Sequence, residues 1–182
     1  MEYPVYTPNE ARDRETFLAL MWAFSYPGRI REIAGAAHTH QTFCAIGSAL
    51  LDLETSFYTP DASLAEELLR TGARRLPPNE AAYHFYPALD GAAMESIALA
   101  NTGTMLRPDE GATLIIGCAF ASGSRFTLTG PGVQTTHDAR LGGIPARFWG
   151  LRERAIRYPL GWDVYFIDHG HVIGLPRTTL VA

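Results

Sequence analysis

Apolar residues recur along this chain at two periods, and the change of period marks where helix gives way to strand. Phe17, Leu20, Met21 and Phe24 fall at helical spacing, which predicts a helix over 10–24 with Asn9 as its N-cap, after an extended arm over 1–10 that carries Pro4 and Pro8. The helix has to stop before Tyr26-Pro27-Gly28, because the residue ahead of a proline is pushed out of the α region. Polar and apolar residues then alternate over 29–33 as in a short strand. Phe43, Ile46, Leu50 and Leu53 predict a second helix over 41–53, and Leu64, Leu68 and Leu69 a third over 62–71, capped by Asp61 or Ser63 and ended by Gly72. Strands are expected at 56–58 and 83–86, the latter limited by Pro87, and a short helix at 91–99.

The densest apolar stretch is PDEGATLIIGCAFASGSRFTLTGPG, residues 108–132, around which the remaining elements are arranged. It predicts two buried strands, 112–120 and 125–129, joined through Ala121-Ser122-Gly123-Ser124 as a hairpin and bounded by Pro108, Gly111 and Gly130-Pro131-Gly132. One more strand is expected at 133–137, then a helix over 145–156 with Pro145 in its first position. Phe148, Trp149, Ala155 and Ile156 would face inward there, and the arginines outward. The last strands are 162–167 and 171–175, joined by Asp168-His169-Gly170. Alternating strands and helices in the first half imply parallel crossovers, and adjacent strands in the second imply hairpins. The expected fold is therefore a single α/β domain over 1–182, with a mixed parallel/antiparallel sheet and packed helices.

At 182 residues, such a domain can bury about 70% of the surface of its unfolded chain and needs neither metal nor disulfide to fold. The net charge of -4 offers no basic stripe for a nucleic acid, no run approaches a membrane span, and the opening residues lack a signal-peptide pattern, so the cytoplasm is expected. All 15 basic residues are arginine. Without lysine the chain can form no internal Schiff base and no P-loop lysine contact. Cys44 and Cys118 lie in apolar runs and are expected to be buried and reduced.

No GxGxxG, GxSxG or Walker motif is present. His38 and His40, like His169 and His171, have the HxH spacing of metal ligands, yet neither pair has a convincing third ligand, so no metal is expected. Ser122 and Ser124 read as turn residues rather than nucleophiles, and an apolar setting would raise the Cys118 thiol pKa. Arg107, Arg125 and Arg177 stand at strand ends, where a guanidinium either grips a phosphate or phosphonate or makes an ordinary surface ion pair. Arg152, Arg154 and Arg157 read as a solvated helix face.

Four ordered stretches carry a family resemblance: ETFLALMWAFSYPGRI, TGTMLRPDEGATLIIGCAF, RFTLTGPGV and YPLGWDVYFIDHGHVIGLPRTTLVA. Through them the chain resembles the PhnH family, the H subunit of the bacterial carbon-phosphorus lyase system, over nearly its whole length. The resemblance implies phosphonate catabolism, in a core complex with G, I and J subunits that, with the ATP-binding L subunit, makes ribose 1-phosphonate 5-triphosphate from ATP and an alkylphosphonate. Bond cleavage follows in the iron-sulfur, radical S-adenosylmethionine J subunit. It further implies a fold similar to the pyridoxal-phosphate-dependent transferases without that cofactor, consistent with the missing lysine, and a homodimer when isolated. Trp22, Phe24, Phe148 and Trp149 could serve an interface or fill the core.

The leading expectation is thus a noncatalytic or assembly-dependent subunit. A phosphonate or nucleotide would meet Arg107, Glu110, Arg125, Arg177, Thr178 and Thr179 at the motif ends. The alternatives are a free-standing transferase and a purely structural subunit.

Overall fold

A computed structural model describes residues 6–182; residues 1–5 of the predicted arm lie outside the described residues, and its last three, from Pro8, already belong to the first helix. In chain order the elements are α1 (Pro8–Ser25), β1 (Arg31–Glu32), α2 (Thr39–Leu50), β2 (Ser56–Tyr58), α3 (Ala62–Leu69), β3 (Arg74–Arg75), β4 (Tyr83–Tyr86) and α4 (Gly91–Leu99). A 3₁₀ turn, Pro108–Glu110, leads into β5 (Thr113–Gly117), β6 (Ala119–Thr129), β7 (His137–Gly142), α5 (Ala146–Ala155), β8 (Asp163–Asp168), β9 (His171–Leu175) and β10 (Leu180–Val181).

Thr7, not Asn9, caps α1. The amide of Glu10 donates to the Thr7 hydroxyl at 3.3 Å, and the Thr7 amide donates back to the Glu10 carboxylate at 2.7 Å. Pro8 explains the shift, since it favours the first helical turn and holds the residue before it extended, as an N-cap must be. Asp61 caps α3 and Asp90 caps α4, each accepting an amide hydrogen at 2.8 Å.

The main sheet has seven strands in the order β1-β9-β8-β5-β4-β2-β3. β3, β2, β4, β5 and β8 run parallel, and β9 and β1 add on antiparallel, so both expected connection types occur. Side chains alternate across this sheet and divide the core in two. Phe85, Ile115, Tyr165 and Ile167 pack with Leu20, Phe43, Ile46 and Leu64 of α1, α2 and α3 on one face. Tyr86, Ile116, Val164 and Phe166 pack with Met94, Ile97 and Phe148 of α4 and α5 on the other.

The predicted hairpin does not form. β5 enters the main sheet, the chain leaves it at Cys118, and β6 joins a separate three-stranded sheet, β10-β6-β7. Residues 121–124 are a bulge in one long strand, with Phe120 and Ser124 both opposite Leu141 and positive φ at Ala121 and Gly123. β6 is mostly exposed, so it never required the covered faces that its apolar neighbour β5 does. The strand expected at 133–137 begins only at His137.

Further expectations change. On α1 the buried face is Thr16, Leu20 and Ala23, while Phe17 and Met21 of the predicted stripe are exposed. On α5 Arg152 is buried, and the cap is Pro145 itself. Cys44 and Cys118 are free thiols of intermediate rather than full burial.

Candidate functional site

The loop leaving α1 is pressed against both sheets, and glycine makes this possible. The Gly28 amide donates to the Gly174 carbonyl at 3.1 Å, while Nε2 of His137 on β7 donates to the Gly28 carbonyl at 3.0 Å. Gly28 has φ of 82°, and a Cβ there would lie 2.4 Å from the His137 ring. At Gly174 a Cβ would lie 2.5 Å from the Ala23 backbone, so α1 can approach β9 only over a bare backbone.

This junction shapes a groove of about 630 Å³ between the α1 loop and the β6–β7 ribbon. Arg29, Arg125 and Arg140 line it against one carboxylate, Asp138. Arg125 and Arg140 are cross-strand partners, a like-charge arrangement relieved by Asp138, which accepts from the Arg125 guanidinium and, at 2.9 Å, from the Thr127 hydroxyl. These contacts hold the Asp138 carboxyl below its ordinary range, the Arg125 hydrogen bond contributing most. Arg29 and Arg140 are exposed and make no ion pair within the described residues. Such a groove suits a multiply charged oxyanion held by guanidinium forks.

A second surface runs along α1 and its loop. Phe17, Leu18, Met21, Trp22, Tyr26 and Ile30 are all exposed, and Trp22 stacks on Tyr26 at 5.6 Å between centroids. An apolar face of this extent is what partner-docking surfaces present. Of the four aromatics singled out in the sequence, Trp22 belongs to this face. Phe24 stacks on Tyr165 at 4.0 Å, Phe148 is fully buried, and Trp149 packs against the core beside Phe126, so these three serve packing.

The six predicted ligand residues fall in separate places. Arg107 and Glu110 pair with each other at 2.6 Å on the exposed 3₁₀ turn. Arg125 lies in the basic groove. Arg177 is 13% exposed and fully occupied: it meets Asp163 at 2.6 and 3.1 Å and donates to the Pro108 carbonyl at 2.6 Å. It therefore ties β9 to the start of β8 and to the 3₁₀ turn. Thr178 borders a cleft beneath α1 with Phe24 and Tyr165, and Thr179 is buried against Arg152. Arg140 was missed because it lies in none of the four stretches, Arg29 although it lies in the first, and placing either beside Arg125 required the β6–β7 ribbon and its register.

Burial governs the titratable groups away from the groove. It pushes the Cys118 thiol up to about 12, with the Asp168 charge adding to the effect. Burial lowers His84 to about 4, and the neutral ring donates from Nε2 to the Ala81 carbonyl at 3.2 Å and accepts from the Tyr86 hydroxyl at 3.0 Å. His169 and His171 sit at the β8–β9 turn, where His169 bonds Asp168 at 2.6 Å. No group of three or more His, Cys, Asp or Glu that could hold a metal occurs among the described residues. Nor is any helix among them long and apolar enough to cross a membrane.

The chain matches a family model described as bacterial phosphonate metabolism protein (PhnH) over residues 5–182. It is also 32% identical over 170 residues to HtxG of Stutzerimonas stutzeri, a proposed C-P lyase subunit protein, covering 92% of this chain and 85% of HtxG.

Proposed function

Because the chain belongs to the PhnH family of bacterial phosphonate metabolism proteins, we propose that it works as a subunit of the carbon-phosphorus lyase complex. The likeness to HtxG supports this reading. The observation that carries it is the exposed apolar face of α1, from Phe17 to Ile30, which a chain working alone would leave in water. In this reading the face docks a second copy of the chain or the G, I and J subunits in the cytoplasm. The assembled complex then forms ribose 1-phosphonate 5-triphosphate from ATP and an alkylphosphonate.

The part of this chain would be to bind rather than to supply a nucleophile. Arg29, Arg125 and Arg140 would neutralise a phosphonate or phosphate oxyanion beside the docking face. The proposed kinship with pyridoxal-phosphate-dependent transferases extends to the fold only, because a chain without lysine cannot form the internal aldimine.

Growth on methylphosphonate as sole phosphorus source tests the reading in a strain lacking its own copy of this gene. The wild-type chain restores growth, and Arg29→Glu with Arg140→Glu slows it while the purified variant keeps its fold. A wild-type chain that is expressed and folded yet restores nothing would end the proposal.

A further inference from the structure

A different cavity, of about 540 Å³, opens between α5 and the β6–β10 edge of the small sheet, remote in sequence from the α1 loop. Phe126, Ile156, Leu180 and Val181 give it apolar walls, and Trp149, Arg152 and Thr179 also line it. Four buried side-chain polar atoms among the described residues have no hydrogen-bond partner: Nε1 of Trp149, Nε of Arg152, Oγ1 of Thr179 and Nε of Arg31. The first three belong to residues that line this one cavity. Buried polar groups are nearly always partnered, so three orphans around one space call for an absent acceptor.

Charge points the same way. Arg152 is 4% exposed, and its Nη2 donates to the Pro176 and Thr179 carbonyls at 2.9 and 3.1 Å, yet among the described residues no carboxylate pairs with it. Asp163 is near enough to favour its charged form but is committed to Arg177. Glu153, on the cavity rim, is exposed. Burial lowers the Arg152 guanidinium to about 10, the Asp163 charge opposing it only in part, as befits a cation without its counter-ion. An unpaired buried charge of this kind is costly unless a ligand supplies the partner.

We propose that this cavity binds a small organic oxyanion, an alkylphosphonate or alkyl carboxylate, whose head group accepts from Arg152 Nε, Trp149 Nε1 and the Thr179 hydroxyl. The chain of the ligand rests on Phe126, Ile156 and Leu180. This site is independent of the groove formed by Arg29, Arg125 and Arg140, and stands or falls separately.

The test is a titration of ¹⁵N-labelled protein with propylphosphonate and, in parallel, with butyrate, following the Trp149 indole N–H signal, which Trp149→Phe identifies by its loss. A saturable shift is expected with at least one probe, and the tighter of the two tells which head group the site takes. Thr179→Val keeps the side-chain volume and removes only the hydroxyl, so it guards against a trivial folding failure of Arg152→Met. Each weakens binding about tenfold or more, as loss of a hydrogen bond to a charged group does. Arg125→Ala leaves binding unchanged. No saturable shift with either probe, or binding that survives Thr179→Val and Arg152→Met but fails in Arg125→Ala, would overturn the proposal.

Discussion

The two sheets of this protein treat their longest strands in opposite ways. In the seven-stranded sheet, four of the five residues of β5 and four of the six of β8 are buried, sealed between two helical layers. In the three-stranded sheet, only Leu128 of the eleven residues of β6 is buried. The large sheet is framework; the small one is a rigid ribbon that spends its exposed positions on a basic groove and on one wall of a cavity. Two arginines, one buried and one largely so, repeat the contrast. Arg177, at the end of the large sheet, has its carboxylate in Asp163, whereas Arg152, beside the small sheet, has none among the described residues.

Substitutions can break that contrast. Phe85→Ala, in the middle of the large sheet, should cost about 3–5 kcal/mol of unfolding free energy in urea, while Phe126→Ala on the half-buried face of β6 should cost less than about 2 kcal/mol. Equal losses would mean that the small sheet is as much core as the large one.

Acid should act through the large sheet as well. His84 titrates near 4 when folded and near its ordinary value of about 6.5 when unfolded, so the unfolded chain binds the extra proton between those values. Stability is therefore greatest above pH about 6.5 and falls as the pH drops toward 4, by about 3 kcal/mol in all from this residue. His84→Gln should flatten the curve in that window; an unchanged slope would assign the loss to other groups.

Removing Arg177 strands the Asp163 carboxylate, so Arg177→Ala should cost about 3 kcal/mol. Arg152→Met strands no carboxylate and removes only the two bonds to the Pro176 and Thr179 carbonyls, so it should cost the ligand-free protein less than Arg177→Ala does. Arg125→Ala, which breaks a fully exposed pair with Asp138, should leave the unfolding midpoint where it was.

The same contrast explains how much could be read in advance. β5, β8 and β9 announce themselves as apolar runs because both their faces are covered, and Asp61 marks its helix through cap chemistry. β6 carries Ala-Ser-Gly-Ser across an exposed bulge, which reads as a turn, since nothing in local composition tells a bulge from a hairpin loop. The two-residue strands β3 and β10 are defined only by their partners. Arg152 reads as solvated because it stands with Arg154 and Arg157 in a charged stretch; its burial depends on the 176–179 turn folding over it from far along the chain. Of the groove, only Arg125 was anticipated, because its other cations come from the α1 loop and from β7.

Partner docking through α1 is the claim on which the functional reading rests. The direct measurement is co-purification of the tagged chain with the G, I and J subunits expressed beside it, comparing wild type with Met21→Ser/Trp22→Ser, whose replaced side chains are exposed and should not unfold the chain. The wild type should carry the other subunits through purification, and the double variant, with an unchanged circular dichroism spectrum, should lose them. Undiminished co-purification of the variant, with its self-association also unchanged, would contradict docking through α1.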